Sequence, residues 1–93
     1  MKAQQIKIPG SSDFIQLLSY DSFGRPKHFK NLSRCSASGE TLWIAELPES
    51  PGSNDAYVNA RIESGRLFAW SWSCFRVELN LESGAIENSV FTK

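Results

Sequence analysis

RLFAWSWSCFRVEL, residues Arg66 to Leu79, is the densest run of large apolar side chains in the chain, and it holds two of the three tryptophans. Its pattern predicts two short strands folded back on each other at Trp72-Ser73. Such a turn sets Trp70 opposite Phe75 and Phe68 opposite Val77, so four bulky side chains share one face. Arg76 and Glu78 then fall on the other face, beside small residues. Upstream, Tyr57 to Glu63 alternates strictly, with Val58, Ala60 and Ile62 against Tyr57, Asn59, Arg61 and Glu63. Ser64-Gly65 is a two-residue hairpin turn, which pairs Glu63 with Arg66, Ile62 with Leu67 and Ala60 with Ala69. Downstream, the polar turn Asn80 to Gly84 leads into a last strand, Ala85 to Phe91.

The first half of the chain reads the same way. Ala3 to Ile8 is a short edge strand stopped by Pro9-Gly10. Phe14 to Tyr20 fits either a strand or a helix, since Phe14, Leu17 and Leu18 are spaced i, i+3, i+4; the strand is favoured because Asp21 to Gly24 ends the segment early. Lys27 to Ser36 holds one irregular strand, and Ser38-Gly39 is a turn. Thr41 to Leu47 is a strand with Leu42 and Ile44 on one face and Trp43, Ala45 and Leu47 on the other, apolar on both sides. Pro48 to Asp55, PESPGSND, is a loop too short to link domains. The expected fold is one all-β domain over residues 1–93, an antiparallel meander of about seven or eight strands. Blade-like sheets, a small sandwich or a barrel all satisfy that pattern.

Two resemblances follow from these residues. Tyr20-Asp21-Ser22-Phe23-Gly24-Arg25 resembles the YD-x-x-GR core of the Rhs/YD repeat, a β-rich element of bacterial surface and toxin proteins. The stretch from Tyr57 to Phe91 resembles a PQQ-type β-propeller blade. Gly65, Leu67 and Ala69 match its G-x-L-x-A strand, Val77 and Leu79 its next apolar strand, and Ser83-Gly84 its closing turn. Trp43, four residues after Gly39, sits where such repeats often carry a tryptophan. Ser38-Gly39 and Ser83-Gly84 lie 45 positions apart, and Gly24-Arg25 and Gly65-Arg66 lie 41 apart. The resemblance implies four-stranded antiparallel blades. Two blades cannot close a ring of about four to eight, and no quinone-binding constellation is present, so it implies neither cofactor nor catalysis. The whole chain is also similar to short bacterial proteins of this length, which implies no function.

Composition narrows the function class. Ten Lys plus Arg balance ten Asp plus Glu, and Arg61, Arg66 and Arg76 are interleaved with Glu63 and Glu78. Nucleic acid is therefore not the expected partner, because phosphate binding calls for a basic surplus on one face. No apolar run approaches the roughly 20 residues of a membrane-spanning helix or the h-region of a secretory signal, so a cytoplasmic setting is expected. Cys35 and Cys74 are too few for a disulfide scaffold or a four-ligand zinc site; they are read as reduced, with a single bridge left open. No metal and no cofactor is expected. His28, the only histidine, is the one candidate general base, with no second imidazole near it in sequence.

The candidate binding and interface residues are Trp72, Trp70, Trp43, Tyr57 and Phe75. Phe68, Trp70 and Phe75 read as core, whereas Trp72 at a turn tip reads as a subunit contact or ligand platform. Strands with two apolar faces need a layer on each side, which 93 residues scarcely supply. The expected protein is therefore a non-enzymatic binding module, homo-oligomeric as a dimer or tetramer, taking a protein or a small apolar ligand. An inhibitor or immunity-type protein with a cognate partner, and a small enzyme using His28, are the alternatives.

Overall fold

The computed structural model describes residues 3–18, 30–48 and 55–92, and every regular element among them is a strand. The first sheet contains β1 (Ala3–Lys7), β2 (Phe14–Leu18), β3 (Leu32–Cys35) and β4 (Thr41–Ile44). The second contains β5 (Tyr57–Glu63), β6 (Arg66–Ser71), β7 (Phe75–Leu79) and β8 (Ile86–Phe91). Each sheet is an antiparallel meander in chain order, and the two share one core instead of closing a barrel. The segment from Phe14 is a strand because Ile15 and Leu17 alternate into that core while Phe14, Gln16 and Leu18 stay half-exposed. Ser19 and Tyr20, the YD-like turn at Tyr20–Arg25, His28 and residues 49–54 of the expected loop lie outside the described residues.

Cross-strand rows build the inner faces. In the first sheet Ile6, Ile15, Arg34 and Trp43 stand side by side, with Leu17 opposite Leu32. In the second sheet the rows are Ala60, Ala69 and Val77, then Ile62, Leu67, Leu79 and Ile86. The β5–β6 hairpin has the expected register, and Ser64 and Gly65 both take positive φ (51° and 75°), the mark of a type I′ turn.

The β6–β7 hairpin differs from expectation by one residue. Its turn spans Trp72, Ser73 and Cys74, so Phe68 faces Glu78, Ala69 faces Val77 and Trp70 faces Arg76. The third turn residue, Cys74, adopts φ 73°, and its amide bonds the Ser71 carbonyl at 3.1 Å. Buried Asp55 fixes this longer turn: its carboxylate accepts from the Ser73 amide (3.2 Å) and hydroxyl (2.9 Å), while Ser71 Oγ accepts from the Phe75 amide (3.1 Å). A one-residue slip exchanges the faces of a whole strand. Val77 and Leu79 accordingly enter the core, and Arg76 and Glu78 join Phe68 and Trp70 outside. The second sheet thus has one dry face and one wet face, and the expectation of two apolar faces fails there. A bulge in β5 makes a second correction: Val58 is extruded and exposed, and Tyr57 turns inward with Ala60.

Hydrogen bonds at Asn31, Leu81 and Tyr57 help lock the sheets together. The buried Asn31 amide donates to the carbonyls of Leu18 (2.8 Å) and Tyr57 (2.7 Å), and its oxygen accepts from the Tyr57 amide (2.8 Å). The Leu81 carbonyl, in the β7–β8 turn, accepts from Arg34 and from Trp43 Nε1, each at 2.8 Å. The Tyr57 hydroxyl donates to the Glu46 carbonyl. Both cysteines are free, Cys35 buried and Cys74 exposed at its turn.

Tyr57 carries a pH prediction. Burial, with the Asp55 and Glu46 carboxylates adding to it, pushes its phenol well above the ordinary tyrosine range. The unfolded chain releases this proton near pH ~10 while the folded chain retains it. Stability is therefore fully present below pH ~10 and falls as pH rises beyond it, by about 1.4 kcal/mol per pH unit from this group. Urea unfolding between pH 9 and pH 11 checks it: Tyr57→Phe should be less stable at pH 9 and show a shallower loss above. Parallel pH profiles for the two proteins would count against the assignment.

Candidate interaction surface

The outer face of the second sheet is an ordered grid. One row reads Asn59, Trp70, Arg76 and Val90, and the next reads Arg61, Phe68, Glu78 and Asn88. Because strand residues two apart and diagonal neighbours share this face, long side chains reach over adjacent rings. Arg61 lies over Trp70 with its guanidinium carbon 5.6 Å from the ring centroid. Arg66 and Arg76 flank Phe68 at 5.4 and 5.7 Å. The guanidiniums shield the rings, which is how two large aromatics occupy the wet side of a sheet at intermediate exposure.

Two of the three arginines have carboxylate partners. Arg66 grips Glu78 with two bonds of 2.8 and 2.6 Å, and Arg61 meets Glu63 at 3.1 Å. The hydrogen bond from Arg66 holds the Glu78 carboxyl below its usual range, and Glu78 raises Arg66 in turn. Arg76 is exposed, rests on Phe68, and has no ion pair among the described residues. With Arg66, Phe68, Glu78, Asn88 and Val90 it lines an open groove of about 240 Å³. Such a groove is smaller than a typical small-molecule pocket, and it is lined by side chains of both charges.

The residues expected at a binding surface scatter. Trp72 is 57% exposed at the hairpin tip. Trp70 is half-buried on the outer face, whereas Phe75 lies on the inner side and meets Phe91 edge-on at 5.4 Å. Tyr57 is core. Trp43 is half-buried, its ring against Gly84. Phe68, Trp70 and Phe75 therefore do not share a face, and Trp43 and Tyr57 do not extend the surface near Trp72.

Sequence reading missed the arginine lids and the bare edge of β8. The arginines were legible at alternate positions in Arg61, Arg66 and Arg76, but their common face depends on the turn at Trp72. Strand β8 is exposed from Glu87 through Phe91, and only its first residue is covered, where the Ile86 amide bonds Glu46 Oε1. Exposed apolar side chains gather here, in Val90 and Phe91, and on the outer side of β4, in Leu42 and Ile44.

A family model described as a domain of unknown function, DUF7957, matches residues 10–91. The chain belongs to the DUF7957 family. The matched span covers β2 to β8, including the grid, the hairpin tip and the β8 edge. No resemblance to propeller blades or to Rhs/YD repeats is shown. No curated protein and no solved structure matches the chain.

Proposed function

We propose that this domain is a non-enzymatic protein-interaction module whose first partner is a second copy of itself, bound through the β5–β8 sheet. The carrying observation is the placement of large apolar side chains in water: Trp72 and Phe91 are each 57% exposed, Val58 49% and Val90 43%. All four sit on the second sheet or its hairpin tip; Val90 faces Arg76, which lies over Phe68, while Phe91 stands on the other side of the sheet against Phe75. Aromatic residues and arginine are among the types enriched in protein interfaces. The balanced net charge gives two copies little mutual repulsion.

Light scattering after size-exclusion chromatography tests the reading. Mass should rise above that of the 10.4 kDa chain as loading increases. Trp72→Ala should lower the associated fraction while changing stability by less than about 1 kcal/mol, since the side chain is mostly in solvent. A chain that remains monomeric throughout overturns the proposal. Unchanged association in the alanine variant removes Trp72 from the interface.

A further inference from the structure

Strand β8 has the geometry to define that interface, and this step rests on the self-association reading. The Thr92 amide bonds the Cys74 carbonyl at 2.8 Å, with residues 74 and 92 in register with the β7–β8 ladder. Antiparallel pairs alternate in their bonding, so the amides of Val90 and Asn88 point to β7 and those of Ser89 and Phe91 point away from it. Ser89 fits the alternation: its amide donates a local bond to Asn88 Oδ1 at 2.9 Å. The edge carries no proline and no lysine, and Glu87 is its one charge. Little guards it against another strand.

Symmetry selects the register. In a two-fold pair of identical antiparallel strands, residues that face each other must lie on the same side of the sheet, so one residue must face itself on the axis. The stretch left bare, residues 87–91, has Ser89 at its midpoint. Centring there lets each Ser89 exchange amide and carbonyl with the other in place of the Asn88 cap. Val90 of one copy then faces Asn88 of the second, both on the outer side, and the two Glu87 carboxylates are kept apart along the seam instead of meeting.

The charges fit the same arrangement. A bulge leaves Glu87 as an extra residue between Ile86 and Asn88, and its carboxylate bonds Asn80 Nδ2 at 3.1 Å. Asn80 continues the row of Arg66 on the outer side, so Glu87 is held toward the outer face. Arg76 stands one strand in from Val90 and lacks an ion pair among the described residues. In the symmetric pair its Cα would lie about 10 Å from that of Glu87 in the second copy, from two strand spacings and one residue step. The two side chains together span that distance. The hairpin tip bearing Trp72 also comes level with the turn from Asn80 to Ala85 of the second copy.

We infer that two chains join antiparallel along β8, centred on Ser89, into one continuous eight-stranded sheet, with Arg76 of each copy paired to Glu87 of the other. A single-strand seam is smaller than a standard interface, so association is expected to be weak and visible at loadings from about 10 µM to about 1 mM.

Sedimentation equilibrium on the full chain and three variants tests it. Ser89→Pro removes an outward amide and no bond to β7, so it should preserve the melting transition and abolish the dimer. Arg76→Glu and Glu87→Arg should each raise the dissociation constant by about 5-fold or more, and the double exchange should restore it to within about 3-fold. Wild-type chains that dimerise while Ser89→Pro and both charge variants dimerise equally well would overturn the β8 seam but leave self-association standing. A monomeric wild type would overturn both.

Discussion

Gly84→Ala is expected to destabilise the domain by about 3 kcal/mol, a fall in melting temperature of roughly 12–24 °C for a chain of this length. Two separate costs meet at this position. The backbone holds φ at +77°, a region that glycine enters freely and alanine does not. An added Cβ would also sit 2.5 Å from Cε3 and 2.8 Å from Cδ2 of Trp43. That ring has little freedom to withdraw, because its Nε1 is bonded to the Leu81 carbonyl in the same turn. The turn itself is closed by the Gly84 amide on the Asn80 carbonyl at 2.8 Å, and the Gly84 carbonyl accepts from the Glu46 amide, just past β4. Displacing Gly84 therefore loosens the joint between sheets as well as the turn. Thermal melting of Gly84→Ala alone and in a Trp43→Leu background separates the costs. In that background the clash disappears, and the alanine should cost only about 1 kcal/mol from its backbone angle. An equal loss in both backgrounds would show that the tryptophan is not the obstacle.

The same turn illustrates what the sequence made legible. Ser83-Gly84 is recognisable as a turn from composition, and Trp43 as an aromatic on an apolar strand. Nothing in the linear pattern says that the two touch, because they lie on different sheets. Alternation was sufficient for the β5–β6 hairpin, where a two-residue turn of Ser64 and Gly65 leaves one register. It failed at Trp72, because turn length there is set by Asp55, which is distant in sequence and reaches Ser73 from the segment just before β5. Cys74 then occupies a left-handed position that nothing in a cysteine announces. That single residue of slip moved Arg76 and Glu78 from the small-residue face to the aromatic one. It created the grid of Arg61, Arg66 and Arg76 over Phe68 and Trp70, which is why the candidate surface was less readable than the strands. Surface for association is thus found at the uncovered β8 edge and at exposed Trp72, Val90 and Phe91, and not on a second apolar face of that sheet.

Asn31 is the position where removing one side chain should cost most. Its amide serves three backbone groups at once, the half-buried carbonyl of Leu18 and the buried carbonyl and amide of Tyr57, and it joins the first sheet to the start of the second. Asn31→Leu keeps the branching at Cγ while adding bulk, and it strips away all three bonds, leaving each group to bear a desolvation penalty of about 1–3 kcal/mol. A loss of about 4 kcal/mol or more is expected, against a total stability of roughly 5–15 kcal/mol for ordinary domains. Asn31→Ala leaves space in a polar site, and a water entering it can serve part of the same set. Alanine should therefore be the milder substitution, the reverse of the order that packing alone dictates, since a leucine fills a core better than an alanine. Urea unfolding midpoints of the two variants decide between these orders. If leucine were the more stable of the two, the Asn31 side chain would matter for its bulk, and the joint between the sheets would have to rest on Leu81 and Tyr57 instead.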